Sequence, residues 1–189
     1  TKTRLLLRAL GEERCVEYVP VDIAGEHLEH TATALREEIP WLRVTPFAAD
    51  FSVDLPLPES DHPNARTVVY FPGSTIGNFD PNDAKRLLAR FRHAAGPDGL
   101  VLLGVDLKKD PADLHAAYND SRGVTAAFNK NVLRRMNAEL DATFDVDAFH
   151  HSAFYEPIKG CIEMHLVSAK RQDVHVGGHV FSFDEGESI

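Results

Sequence analysis

The sequence predicts an α/β protein: an open, mostly parallel sheet with flanking helices over 1–108, then a smaller α+β lobe over 109–189. Three observations predict it. Strand-like and helix-like runs alternate through the first 108 residues. Two helix starts are written out as Asp-Pro, at Asp80-Pro81 and Asp110-Pro111. Beyond 108 the alternation gives way to one long helix followed by β-like runs in succession.

Residues 2–10 read as an amphipathic helix carrying Leu5, Leu6, Leu7 and Leu10 and closed by Gly11. The run 15–23, CVEYVPVDI, is β-rich and ends near Asp22. Residues 24–39 are helical and stop at Pro40. A short strand over 42–51 leads to Asp50, and 66–71 reads as a buried strand. Asp80 then caps a helix with proline at its first position and Asp83 near the positive end of its dipole. That helix runs to about Ala95 and ends at Gly96-Pro97, before the most strand-like stretch, 99–107. Asp110-Pro111-Ala112-Asp113 repeats the same helix start. In the lobe, 123–140 form a long helix whose apolar residues at 124, 128, 132, 133, 136 and 140 are expected to pack in a core. The stretch around FDVDAFHHSAFYEP reads as a connection, and 161–169 and 172–178 as an antiparallel hairpin. The opening TKTRLLLRAL begins as if already within a helix, and DEGESI stops without a cap, turn or final strand. A piece of a longer protein is expected.

Composition narrows the function classes. The chain has 189 residues, 43% hydrophobic and 26% charged, enough for a sizeable core. A net charge of −9 argues against a nucleic acid or an anionic membrane as partner, since both call for clustered Lys and Arg. No apolar run reaches the roughly 18 residues needed to span a bilayer. Cys15 and Cys161 are far apart and read as buried free thiols in a reducing, cytoplasmic setting.

In a parallel α/β sheet, ligands bind outside the carboxyl ends of the strands. Polar residues collect at those ends here: Asp22, Asp50, the loop from Pro72 to Asn78, and Asp106. Asp22 reads either as a loop acid or cap of the next helix, or as a carboxylate accepting two ribose hydroxyls of a nucleotide. Asp50 reads either as a loop acid or as an acceptor for an adenine amino group, with Phe51 packing on the ring. Asp106 is expected to be a cap or strand-end acid. In the loop YFPGSTIGNFDPNDA, Gly73 and Gly77 let the backbone approach ligands, while Asn78 is a turn residue or a ligand for a small polar group. No metal site is expected, because His150, His151, His175 and His179 lack cysteine partners and a helical His-Glu-x-x-His frame. There is no Gly-x-Ser-x-Gly elbow and no Walker loop, and Gly73-Ser74-Thr75 has no identifiable triad partners.

FPGSTIGNF, LLGVDLKKD, AYND followed by GVTAAFNKNVL, FDVDAFHH and IEMHL occur in this order. Together they resemble the histidine-specific, S-adenosylmethionine-dependent methyltransferases, which make hercynine, the trimethylated histidine on the route to ergothioneine. The resemblance runs over essentially the whole chain. It implies a Rossmann-like methyltransferase sheet whose first strand and glycine-rich loop precede Thr1, and an α+β substrate-recognition lobe. It implies cofactor contacts at Lys2, Asp22, Asp50 and Phe51, and histidine contacts at Gly73, Asn78, Tyr118 and Met164. Asn78 and Tyr118 are expected to act directly at the reacting end of the substrate. The family's imidazole-reading glutamate would follow Ile189, so Glu163 is not that residue.

The expected function is methyl transfer from S-adenosylmethionine to the α-amino nitrogen of free histidine. Two alternatives stay open: the same fold acting on another aromatic amino acid or amine, and a nucleotide-binding α/β module without chemistry. A Gly-x-Gly stretch upstream and a glutamate downstream in the parent gene would favour the enzyme.

Overall fold

A computed structural model describes residues 2–53, 57–58, 62 and 64–189, which divide into two units, Thr1–Asp106 and Leu107–Ile189. In the first unit, helix α1 (Lys2–Leu10) precedes two short strands, β1 (Glu17–Tyr18) and β2 (Val21–Asp22). Helix α2 (Gly25–Glu38) leads to β3 (Arg43–Val44) and β4 (Phe47–Ala48). β1 pairs in parallel with β3, and β2 with β4, at one constant offset. They are therefore a single ladder, divided because Pro20 has no N–H to give. Thr45, Phe47 and Ala49 still donate to the Tyr18, Pro20 and Asp22 carbonyls at 3.0, 2.9 and 3.0 Å. Leu7 of α1 packs with Ala32, Leu35, Ile39, Leu42 and Val44 in a buried cluster. Arg4 and Arg8 reach Glu38 at 2.6 Å each, joining α1 to the end of α2.

A second parallel ladder joins β5 (Val68–Phe71) to β6 (Leu100–Leu103), with Phe71 opposite Leu103. Between them runs α3 (Pro81–Ala95), and the expected cap is present: Asp80 Oδ1 accepts from the Asn82 and Asp83 N–H groups at 2.8 and 3.0 Å. The pairings are parallel as expected, but the described residues of the first unit form two separate ladders, 17–22 with 43–48 and β5 with β6, rather than one sheet. Val68, Leu100 and Leu102 remain about half exposed, so the second ladder is incompletely covered. The thiols also differ from expectation, since Cys15 and Cys161 are free but only half-buried. Partial burial pushes the Cys15 thiol pKa up, which keeps it protonated and weakly nucleophilic.

In the second unit, Asp110 Oδ1 caps α4 (Pro111–Tyr118) through the Ala112 N–H at 2.8 Å. Asp120 caps α5 (Val124–Glu139), accepting from Thr125 N at 2.8 Å and Val124 N at 3.0 Å. These donors, Thr125 first, lower the Asp120 pKa to about 2. Strand β7 (Phe149–Glu156) pairs antiparallel with β8 (Cys161–Ser168), placing Phe149 opposite Ser168 and Ala153 opposite Met164. Strand β9 (Gln172–Val176) pairs with β10 (His179–Phe183).

This corrects the strand reading. The 161–169 run pairs with 149–156, a strand where a connection is expected, and the 172–178 run pairs with 179–183. Gly177 and Gly178 both have positive φ, 53° and 84°, which makes the tight turn that sends β10 back along β9. Nor does the chain run out after β10 without pairing: Leu166 and Ile189 exchange N–H···O bonds at 3.0 Å.

The core of this unit is Leu133, Phe144, Phe149, Leu166 and Val174. It also corrects the helix stripe. Leu133 is buried and Met136 packs against the core as expected, but Val124, Val132 and Leu140 are half exposed and Phe128 is 72% exposed. The packed face of α5 runs through Asn129, Leu133, Met136 and Asn137. Asn137 Nδ2 donates to Phe144 O and its Oδ1 accepts from Phe144 N, both at 2.8 Å. A hydrogen-bonded asparagine can occupy a buried helix face, which hydrophobic periodicity does not register.

Candidate active site

The first unit gathers four of the expected residues at strand carboxyl ends. Asp22 ends β2, and its carbonyl accepts the Ala49 N–H, so Asp22 and Asp50 lie at the same end of the first ladder. Both are exposed acids held by local turns. Asp22 Oδ1 accepts from Ala24 N at 2.9 Å, and Asp50 Oδ1 from Ser52 N at 2.8 Å. The Ser52 side chain, then its N–H, holds the Asp50 pKa below the usual carboxylate value. Each acid therefore does serve its own loop, and each carboxylate is open to solvent on its other side. Phe51, half-buried, meets Phe71 edge-on with ring centroids 5.5 Å apart, and Phe71 meets Phe91 at 4.9 Å. Phe71 is the last residue of β5, so this contact links the ends of the two ladders.

The loop after β5 is built around left-handed backbone. Gly73 has φ +80° and Ser74 φ +62°. Ser74 N donates to Gly104 O at 3.1 Å, and Ser74 Oγ accepts from Asp106 N at 2.9 Å, tying the loops that follow β5 and β6. A Cβ on Gly104 would lie 3.1 Å from Gly73 N and 3.2 Å from the Pro72 Cα. The two backbones touch, and any side chain at 104 would press on the loop after β5. Gly77, singled out in the sequence, has ordinary contact distance around it. Asn78 closes a single 3-10 turn over Thr75–Asn78 and is exposed. Lys2 sits exposed on the first turn of α1, and no described contact joins it to the strand ends.

Tyr118 and Met164 belong to the second unit. Tyr118 is the last residue of α4, and Met164 lies on β8 on the same face as Leu166. The two are brought to one neighbourhood by polar ties between α4 and β7. Asn119 Nδ2 donates to Ala153 O at 2.9 Å, and Ala153 lies opposite Met164. His151 Nε2 meets the Tyr118 carbonyl at 2.9 Å. Tyr118 and Met164 are each 37% exposed. On the opposite face of the hairpin, Phe154 stacks on His165, and Glu163 is held by Lys159 at 2.5 Å and His165 at 3.2 Å. Lys159, then His165, lowers the Glu163 pKa, so this carboxylate is already engaged.

Sequence reasoning missed Ser74, Gly104, Asn119, Asn129 and His151 as site-building residues. Gly104 had a signal, being a glycine inside a strand-like run. The others act through carbonyl and amide partners distant in sequence, which leaves no local pattern. Among the described residues, no group of three or more His, Cys, Asp or Glu could hold a metal ion. No helix among them is long and apolar enough to cross a membrane.

A family model described as a histidine-specific, S-adenosylmethionine-dependent methyltransferase matches residues 1–189. The chain belongs to this family. The histidine N-alpha-methyltransferase of Mycobacterium tuberculosis is 40% identical to this methyltransferase-family chain over 192 residues, covering 100% of this chain and 59% of the relative. The protein of the same name from Mycolicibacterium smegmatis is 38% identical, covering 93% of this chain and 54% of the relative. Ergothioneine biosynthesis protein 1 of Neurospora crassa is 31% identical, covering 86% of this chain and 20% of the relative. This family member thus spans little more than half the length of its mycobacterial relatives.

Proposed function

We propose that the protein containing this chain transfers methyl groups from S-adenosylmethionine to the α-amino nitrogen of free histidine, giving hercynine on the route to ergothioneine. Membership of a histidine-specific methyltransferase family over all 189 residues carries this reading. The first unit is the cofactor-binding core. Its two parallel ladders are parts of a Rossmann-like sheet. The second unit is the substrate-recognition lobe.

The residues of the first unit fit the cofactor chemically. Asp22 keeps one oxygen on its own turn, and its carboxylate is open to ribose hydroxyls. Asp50 stands at the same ladder end to accept an adenine amino group, and Phe51, braced edge-on by Phe71, offers an aromatic surface to the base. Lys2 supplies a cation beside the cofactor. When bound, S-adenosylmethionine supplies a sulfonium-activated methyl carbon, open to in-line displacement by an unprotonated amine. The protein then has to align the nitrogen, an effect worth about 7–11 kcal/mol in well-oriented systems. Asn78 and Tyr118 grip the amino and carboxylate end, Gly73 admits it close to the backbone, and Met164 packs beside it.

The test is the product mass after incubating the full-length protein with histidine and S-adenosylmethionine. Three added methyls support the reading. Unmodified histidine, with methylation of another amine, assigns the fold to a different substrate.

A further inference from the structure

We infer that His151 is a positioning residue for the proposed histidine methylation, acting through the end of α4 on Tyr118. The inference rests on the reading of Tyr118 as a substrate contact. Its basis is a chain of hydrogen bonds within the second unit whose polarity can be read without ambiguity. The Tyr118 and His165 main-chain oxygens are carbonyls and can only accept. Asn129 approaches His165 O at 3.1 Å through Nδ2, which fixes that atom as the amide nitrogen. The same nitrogen lies 3.0 Å from His151 Nδ1 and donates to it, so Nδ1 carries a lone pair. His151 Nε2 lies 2.9 Å from Tyr118 O and must carry the proton. His151 Nε2 therefore faces Tyr118 as the donor, and the two bonds that Asn129 of α5 donates, to His165 O on β8 and to His151 Nδ1 on β7, dictate which nitrogen does so.

What this ring holds is the last carbonyl of a helix. The final carbonyls of an α-helix have no partner within the helix. At the end of α4, Asn119 Nδ2 and the Asn119 N–H take His115 O, and His151 takes Tyr118 O. Asn119 Nδ2 also reaches Ala153 O on the same strand that carries His151. Two side chains thus pin the last turn of α4 to β7, and Tyr118 is the residue they pin. Tyr118 is itself 37% exposed, so packing holds it less firmly than these bonds do. Without the imidazole, the Tyr118 carbonyl turns to solvent and the tyrosine loses its fixed approach to the substrate.

The experiment uses the full-length protein with histidine and S-adenosylmethionine and compares His151→Ala, His151→Gln and Tyr118→Phe. The glutamine amide places a donor where Nε2 stands. His151→Ala is expected to raise the KM for histidine about tenfold, with cofactor affinity unchanged. His151→Gln is expected to return KM to within about twofold of the parent. If Tyr118→Phe raises KM and His151→Ala does not, the positioning role is overturned while the reading of Tyr118 stands. If Tyr118→Phe leaves KM unchanged, that reading falls and takes the inference with it. A measurement independent of any variant is the nitrogen NMR spectrum of the His151 imidazole in the native protein at neutral pH. A protonated Nδ1 there overturns the inference whether or not the alanine variant folds.

Discussion

Gly104→Ala probes the contact on which the candidate site is built. The added methyl would stand 3.1 Å from Gly73 N, 3.2 Å from Pro72 Cα and 3.4 Å from the Pro72 carbonyl carbon. Comfortable separation for such atoms is about 3.5–4.0 Å, and backbone cannot rotate away as a side-chain tip can. The loop must retreat by about half an ångström, and overpacking of this kind costs about 1–3 kcal/mol. The retreat also stretches the bond from Ser74 N to Gly104 O, already 3.1 Å, beyond good hydrogen-bonding range. Since a misplacement near 1 Å can lower a rate about a hundredfold, half of it should lower kcat/KM for histidine about tenfold. Gly77→Ala is the control, because its new methyl meets only Ser74 Oγ, at 3.8 Å. Steady-state kinetics of both variants in the full-length protein, with thermal melts to show that they fold, decide the matter. Equal kcat/KM in the two variants would refute the argument that Gly104 sets the position of the loop.

Asp22→Asn keeps an oxygen for the Ala24 N–H and removes the charge, so cofactor Kd should rise about tenfold with the melting temperature unchanged; calorimetry showing the parent affinity returns Asp22 to a turn-forming role. Asn78→Ala and Tyr118→Phe should each lower kcat/KM for histidine about tenfold to a few hundredfold, and the double variant should lose less than the product; strictly multiplicative losses would mean that the two do not share one end of the substrate. Phe149→Ala empties the centre of the second core, where Phe149 is fully buried against Phe144 and Phe183, and should cost about 3–5 kcal/mol in urea unfolding; a loss below about 1 kcal/mol contradicts that packing. The Asp120 carboxylate has its pKa depressed to about 2 by the helix N–H groups it caps. Its contribution is therefore complete above the unfolded value of about 3.9 and is lost as pH falls through about 2. Asp120→Ala should remove that part of the acid limb, and parallel stability curves for parent and variant between pH 4 and 2 would speak against the cap.

The sequence by itself determined the local devices and the family. Asp80 and Asp110 were legible as caps because capping is a contact between residues two or three apart. That the pairing would be parallel followed from alternation with helices, and the acids at strand ends followed from strand direction; which strand meets which, 15–23 with 42–51 and 66–71 with 99–107, came only from the fold. Family membership was legible because long, uncommon motifs survive in order along the chain. Tertiary structure decided the rest. Two histidines break the alternation of FHHSAFYE, so β7 looked like a connection until β8 paired with it. His151 is tolerated on the inner face because Asn129 and the Tyr118 carbonyl complete its hydrogen bonds. The face of α5 was chosen by Asn129 and Asn137, whose partners lie on other elements. The crowding at Gly104 came from a backbone some thirty residues away, at Pro72 and Gly73. Caps and periodicities are near-neighbour physics and can be read from a string of residues. Hydrogen-bond completion and steric contact between distant segments depend on which segments meet, and that is settled only when the chain has folded.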